Sequence, residues 1–280
     1  MATHPAVIVT GVKQPLVLVQ VPTPQPQQHE IQVRIEWVPS APLDALRTSG
    51  RLMAQFPQSL GDSGVGTVVA VGPGTERHRV GDQVFGFFFH NEKEKGQQIY
   101  VTAPEHLFGK VPPGVSLPAA ATLPTNVCTA FLTLSDKLSL ELPWPRPADF
   151  FPKNQDIPIL IWGAGSSVGQ FAVQILKYWG YTNDQELWAK HVIDYRDPNA
   201  VDSILKIVNT ESPSTPLRAF DCVDSKFGSL QHVAKIVTRP GSIVAAVLPV
   251  VIRAPSDEEG IQLAADVAGE APWVPGVETS

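Results

Sequence analysis

The pattern of apolar and polar positions changes character twice along the chain. Over residues 6–10, 16–21 and 31–38 it consists of short β-branched runs, separated by Gly11-Val12-Lys13-Gln14 and by a Pro/Gln cluster at 22–28. Residues 64–71 alternate small and apolar positions and end in Gly72-Pro73-Gly74. Val80-Gly81-Asp82-Gln83-Val84-Phe85-Gly86 opens another turn and strand, and residues 99–103 give one more before the Pro-rich 110–118. Short strands punctuated by turns predict a small barrel-like β domain. From 118 to 140 the spacing becomes helical, with Ala130, Leu132, Leu134 and Leu138 recurring. Leu142-Pro143-Trp144-Pro145-Arg146-Pro147 cannot be a helix interior and reads as a surface excursion. Beyond it strands (157–162, 191–194, 219–223, 242–248) alternate with helices (from 167 and over 200–209). That alternation predicts a doubly wound parallel sheet, hence an α/β chain with a β domain at 1–118 and an α/β domain at 119–280.

The most informative stretch is Ile157-Pro158-Ile159-Leu160-Ile161-Trp162-Gly163-Ala164-Gly165-Ser166-Ser167-Val168-Gly169-Gln170. An apolar strand enters a glycine-rich turn, and an amphipathic helix carrying Phe171, Val173, Ile175, Leu176 and Trp179 leaves it. Glycines let a backbone approach a ligand closely, and the free N–H groups of a helix start, with the helix dipole behind them, suit a pyrophosphate. The spacing is Gly-x-Gly-x-x-x-Gly rather than Gly-x-Gly-x-x-Gly. A strand-to-helix turn that binds nothing is the competing reading.

Composition narrows the field. The chain has 280 residues, is 43% hydrophobic and 17% charged, and carries a formal net charge of −6. A mildly acidic chain with no basic cluster is a poor candidate for nucleic acid or an anionic membrane surface. Cys128 and Cys222 are the only cysteines, each in an apolar run, which predicts buried reduced thiols in a reducing compartment. The N-terminus lacks a basic region followed by a long apolar core, and the longest apolar run, 243–252, is broken by Pro249. The expectation is a cytoplasmic protein. A catalytic zinc needs three Cys, His or carboxylate ligands and a structural zinc needs four clustered ones. Two distant cysteines and seven histidines without ligand pairing predict no metal.

Several local motifs occur in one order: Gly61-Asp62-Ser63-Gly64-Val65-Gly66-Thr67-Val68, Val80-Gly81-Asp82-Gln83-Val84, Tyr100-Val101-Thr102-Ala103-Pro104-Glu105 and Leu123-Pro124-Thr125-Asn126-Val127-Cys128-Thr129-Ala130. The glycine turn, His191-Val192-Ile193-Asp194-Tyr195-Arg196-Asp197-Pro198 and Phe220-Asp221-Cys222-Val223 follow. Together they resemble the medium-chain dehydrogenase/reductase superfamily from about residue 5 to 252, and within it the zinc-independent fungal trans-enoyl reductase and quinone oxidoreductase-like branch. The resemblance implies an N-terminal GroES-like β-barrel followed by a Rossmann-type sheet. It also implies hydride transfer from NADPH to a conjugated carbon–carbon double bond of a small enoyl or quinone-like substrate, in fungal secondary metabolism. Such a substrate is presented by a polyketide-type synthase, and the protein would be a monomer or weak homo-oligomer. In zinc-dependent relatives the first ligand falls near Pro39-Ser40-Ala41-Pro42 and the histidine ligand at Asp62, so both ligands are absent here.

The same resemblance assigns candidate residues. Pro42-Leu43-Asp44-Ala45-Leu46-Arg47 matches the family's Pro-(Thr/Ser)-Asp-Trp-Lys stretch, which places Leu43, Asp44, Ala45 and Leu46 beside the cofactor. The aromatic is lost, the lysine position holds Leu46, and Arg47 stands one residue on, as a cationic donor or as a solvated surface arginine. Asn126 and Thr129 are candidates for hydrogen bonds to the carboxamide or the substrate carbonyl, with helix capping by Thr125 and Asn126 as the alternative. Ser166, Ser167 and Val168 match the phosphate turn. Tyr195 matches an adenosine contact or is an edge residue, and Leu248 and Pro249 match a nicotinamide contact.

Two departures stand out. Relatives continue from Gly180-Tyr181-Thr182-Asn183 into a second strand and a loop that reads the ribose, whereas here Asp184-Gln185-Glu186-Leu187-Trp188 follows directly. Asp184 has the spacing of an NAD-selecting acid, but without a leading strand it reads as a loop or helix-capping residue. Residues 254–280 are polar and Pro/Gly-punctuated, with only 261–268 suggesting a helix. The expectation is therefore a truncated sheet lacking its second strand and its C-terminal edge. The alternative function is a catalytically inactive family member acting as a binding or scaffold protein.

Overall fold

The structure is a computed structural model that describes residues 2–181, 189–247, 249–253 and 262–280. The chain divides into two units, Met1–Thr125 and Asn126–Ser280. In chain order the first holds β1 (Thr3–Val9), β2 (Val17–Pro22), β3 (Glu30–Trp37), a short helix α1 (Pro42–Thr48), β4 (Gln58–Ser59) and β5 (Ser63–Val71). After them come β6 (Gln83–Phe87), β7 (Tyr100–Pro104), β8 (Phe108–Lys110), α2 (Leu117–Ala121) and the start of α3 (Leu123–Leu132). The strands form antiparallel sheets ordered β2-β1-β4 and β7-β3-β5-β6-β8. Ile31, Val33, Val68, Val84, Val101 and Ala103 project from these strands into one core with Phe88 and Phe108. β8 falls next to the stretch expected to be loop. Its three residues pair with β6 because that pairing brings Phe108, 2% exposed, into the core.

The second unit continues α3 and then holds β9 (Ile159–Trp162), α4 (Ser167–Trp179), α5 (Ala200–Glu211), β10 (Arg218–Asp221), α6 (Gln231–Ile236) and β11 (Ile243–Ala246). β12 (Val250–Arg253), β13 (Gln262–Ala264) and β14 (Glu278–Thr279) complete it. β9, β10, β11 and β14 form a parallel sheet ordered β14-β11-β10-β9. α4 forms where the sequence places it. Ala172, Ile175, Leu176 and Trp179 make one buried stripe, and Ser166 caps the start. Gly180, at φ +86°, stops the helix in the left-handed conformation, and the Tyr181 N–H donates back to the Leu176 carbonyl at 3.0 Å.

Three sequence expectations are corrected in this unit. Residues 191–194 are not a strand: Lys190 and His191 turn outward to the Glu211 carboxylate at 2.9 and 2.8 Å, and Val192 is 87% exposed. Only two apolar residues between polar ends gave this stretch too little to bury. Residues 262–264 are strand rather than helix. A helix so short is marginal on its own, whereas pairing with β12 satisfies the backbone and places Ala264 against Val250 and Val267. Finally, the C-terminal segment returns to the sheet, where β14 pairs with β11 and occupies the edge with two residues. Among the described residues the parallel sheet has four strands, with β9 at the other edge. Asp184 and Leu248 lie outside the described residues.

Candidate functional site

In the second unit the glycine turn joins the carboxyl end of β9 to α4. Gly163 has φ +79°, and a Cβ there would meet Val223 Cγ2 at 2.6 Å. A Cβ on Gly169 would lie 2.5 Å from the Gly163 carbonyl oxygen, so this glycine lets the helix seat against the turn. Gly165 differs: a Cβ there meets nothing within 4 Å. No packing among the described residues requires Gly165, and the open space beside its backbone is what a close ligand approach needs. Ser166 caps α4 by accepting from the Gly169 N–H at 3.1 Å, and Gln170 braces the turn by donating to the Gly165 carbonyl at 2.9 Å. Helix geometry leaves the N–H groups of Ser167 and Val168 as orphan donors at the exposed start of the helix. The Val168 side chain packs on the apolar core, so its part in the turn is its backbone. These residues fit a dinucleotide diphosphate: a cradle open to a ligand, oriented donors and the positive end of a 13-residue helix.

The carboxyl ends of β10 and β11 lie in the same unit. Asp221, with no exposure, accepts from the Val223 N–H at 2.9 Å and from the Ser229 hydroxyl. Burial raises its carboxyl above the usual range. Burial, and then the negative charges of Asp221 and Asp224, push the Cys222 thiol far up, so Cys222 is an inert, half-buried thiol. Pro249 stands between β11 and β12, half-buried. Tyr195 is 59% exposed, with the Arg196 guanidinium 5.3 Å from its ring centroid and no strand before it.

Asn126 and Thr129 are half-buried within α3. α3 begins at Leu123 with Pro124 in its first turn, where a missing N–H costs nothing, so Thr125 and Asn126 are its third and fourth residues. Asn126 is the fourth residue of the helix, past the capping position.

In the first unit α1 carries the match to the cofactor-side stretch. Leu43, Asp44 and Leu46 are half-buried and Ala45 is exposed. Asp44 closes the start of α1, accepting from the Ala41 N–H at 3.0 Å, and also accepts from the Gly61 N–H at 3.3 Å. Arg47 is not a solvated surface arginine: it is 3% exposed and ion-paired with Asp62, its Nη1 at 2.8 Å from each carboxylate oxygen. Lys95, 5% exposed, donates to Asp62 Oδ1 at 2.7 Å and to the Phe88 and Phe89 carbonyls at 3.1 and 3.2 Å. Two buried cations thus share one carboxylate. Sequence reasoning missed Lys95 because Glu92-Lys93-Glu94-Lys95 has the look of a solvated charge run. It also missed Gln170, whose role depends on the turn curling back to it.

Residues 27–127 match the family model of the alcohol dehydrogenase GroES-like domain. The chain is 30% identical over 239 residues to the trans-enoyl reductase himH of Aspergillus japonicus, covering 80% of this chain and 66% of that one. It is 30% identical over 224 residues to the enoyl reductase component lovC of the lovastatin nonaketide synthase of Aspergillus terreus, covering 72% and 58%. Among solved structures, the CurK enoyl reductase superposes with a TM-score of 0.70 at 19% identity, over 98% of this chain and 79% of that one. The chain spans between 54% and 66% of the length of the first curated relatives it matches. Motif order, β-barrel unit, parallel sheet and glycine turn agree with these matches, and the chain belongs to the medium-chain dehydrogenase/reductase superfamily, in its fungal enoyl reductase branch.

Proposed function

We propose that the chain is a metal-free, NADPH-dependent reductase of a conjugated carbon–carbon double bond in a small enoyl or quinone-like substrate. The observation that carries this reading is Gly165, open where the family's cofactor phosphates approach, between two glycines that packing does require. Gly165, Ser166, Ser167 and Val168 would hold the diphosphate through backbone donors, and Pro249, in the same unit, would border the nicotinamide. The bound nicotinamide supplies the hydride, and the protein's share is orientation and stabilisation of the charge that develops on the substrate oxygen. Asn126 and Thr129 would supply neutral hydrogen bonds to that oxygen, while Arg47, enclosed against Asp62, fixes α1 in the first unit. Metal-free chemistry is supported by the state of Asp62, whose two oxygens are spent on Arg47 and Lys95 where zinc-dependent relatives place a ligand. A polyketide-type synthase as the source of substrate is supported by the similarity to lovC, the enoyl reductase component of a nonaketide synthase. The binding or scaffold alternative draws on the exposed Tyr195 and the lack of a strand over 189–198.

The test is the dissociation constant for NADPH and NADH by tryptophan fluorescence, followed by NADPH oxidation with α,β-unsaturated thioesters and quinones. NADPH binding about tenfold or more tighter than NADH is expected, a difference of about 1.4 kcal/mol. Gly165→Val should abolish binding while leaving the melting temperature within a few degrees. A folded, monodisperse chain that binds neither nucleotide would leave the scaffold reading in place.

A further inference from the structure

At the carboxyl end of β10, three residues beyond Asp221, stands a second acid that the reaction scheme does not use. Asp224 has φ +58°, a left-handed conformation that Asp tolerates better than most residues. Its backbone is fixed on both sides. Its N–H points to Asp221 Oδ1 at 3.4 Å, and its carbonyl accepts from the Val251 N–H. The Val247 N–H, which donates to the Asp221 carbonyl at 3.1 Å, also lies against the Asp224 carboxyl. Its Oδ1 has no accessible surface and no hydrogen-bond partner. A buried oxygen without a hydrogen bond is destabilising, so its retention asks for a partner absent from the described residues. The place is specific: Val223, the residue before it, is the one a Cβ on Gly163 would strike, and Val247 follows the last residue of β11. Asp224 therefore sits at the carboxyl edge of the parallel sheet, beside the glycine turn, where open α/β sheets receive their ligands.

We propose that Asp224 is a cofactor-binding residue whose carboxyl, in its protonated form, donates a hydrogen bond to an acceptor oxygen of the dinucleotide. The proposal rests on the nucleotide-binding reading above. Its logic is electrostatic. An ionised Asp224 would set a second negative charge beside Asp221 and against a diphosphate, while the neutral acid supplies a donor in the same place. Burial first, and then the neighbouring Asp221, raise the Asp224 carboxyl to about 9, so it is protonated at neutral pH. Among the described residues the other ionisable groups around it are few. Asp221 ends β10 and Cys222 follows it, and both are shifted upward. Lys226 follows it and is paired with Glu270 at 3.1 Å, and Arg253 closes β12. The glycine turn (163–169) and β11 contribute no ionisable side chain.

The experiment is NADPH affinity of the whole chain, by fluorescence titration, from pH 7.5 to 9.5, for the parent, Asp224→Asn and Asp224→Leu. That window lies above the titration of the nucleotide's own 2′-phosphate. For a group titrating near 9, the parent should bind about fourfold more weakly at pH 9.5 than at pH 7.5. Calorimetry at pH 9 in two buffers of different ionisation enthalpy should show proton uptake on binding. Asp224→Asn keeps a donor that cannot ionise, and should bind as the parent does at pH 7.5 with a flat profile and no proton uptake. Asp224→Leu should bind about tenfold more weakly throughout, at an unchanged circular dichroism spectrum. Parent and Asp224→Asn profiles that coincide would overturn the role of Asp224 while leaving nucleotide binding intact. No binding by any form at any pH would overturn the nucleotide-binding reading itself.

Discussion

Two enclosed aspartates, one in each unit, meet opposite surroundings. Asp62 is answered by two cations at 2.7 and 2.8 Å, both more deeply buried than itself. Asp224 has no cation within ion-pairing distance and one orphan oxygen among the described residues, next to another acid. The first arrangement is closed: the Asp62 oxygens are spoken for, and the group holds α1, β5 and the 88–95 loop to one another. The second is open, and its unmet hydrogen bond is what a ligand can complete. The difference teaches where to look for chemistry. The buried ion pair ties Arg47, from the motif expected to face the substrate, to the protein itself, while Asp224 keeps one oxygen without a partner among the described residues.

The largest effect expected from breaking this contrast comes from the closed side. Asp62→Asn leaves Arg47 and Lys95 buried together without a counter-charge, and should cost about 3–5 kcal/mol in a urea melt. Replacing all three with apolar residues of similar volume should cost less than Asp62→Asn alone, because the penalty lies in the stranded charges rather than in the lost attraction. A loss under about 1 kcal/mol for Asp62→Asn would mean that water reaches the cluster, and the closed description would fail.

On the open side the expected sign is reversed. The Asp224 pKa is raised in the folded chain, to about 9 from an unfolded value near 4, so folding at neutral pH requires proton uptake. The stability cost is absent below the unfolded value, grows as pH rises through the window from about 4 to 9, and then levels off. Asp224→Asn should therefore stabilise the unliganded chain at pH 8 by at least about 1 kcal/mol, read as a rise of a few degrees in melting temperature. The gain should vanish near pH 4. A gain that does not change with pH would assign the effect to local backbone preference instead.

What the sequence made legible follows the range of the forces involved. The glycine turn and α4 could be read directly, because Ser166 caps Gly169, Gly169 seats on the Gly163 carbonyl, and Gly163 and Gly180 take the left-handed conformation that glycine favours. Most strands of the first unit were legible for the same reason, since alternation is a local signal. The burial of Arg47 was not, because its partner lies 15 positions on and the second cation 33 beyond that partner. Nothing local distinguishes Arg47 or Lys95 from a solvated charge. Asp224 escaped notice because the motif match ended at Val223, and a left-handed φ at a non-glycine residue leaves no mark in the sequence. Residues 191–194 misled for a related reason: their strand-like composition had no apolar surface to cover, and Glu211 drew their first residue outward.

The smallest effect belongs to a third aspartate that tests whether enclosure, rather than pairing, sets the scale. Asp82 pairs with Lys110 at 2.8 Å, the same distance as Arg47 to Asp62, but its side chain is 25% exposed and that of Lys110 is 57% exposed. Lys110 first, and then the Arg79 N–H, hold the Asp82 carboxyl below its usual value, so the pair stabilises the fold above about pH 4 and is lost as acid protonates Asp82. In water two such charges attract weakly and long side chains lose freedom to meet, so Lys110→Ala should cost no more than about 0.5 kcal/mol at neutral pH. The difference should disappear in 1 M salt, where screening acts within about 3 Å. Were Lys110→Ala to cost as much as Asp62→Asn, distance alone would rank these acids, and the burial that separates Asp62 from Asp82 would carry no energetic weight.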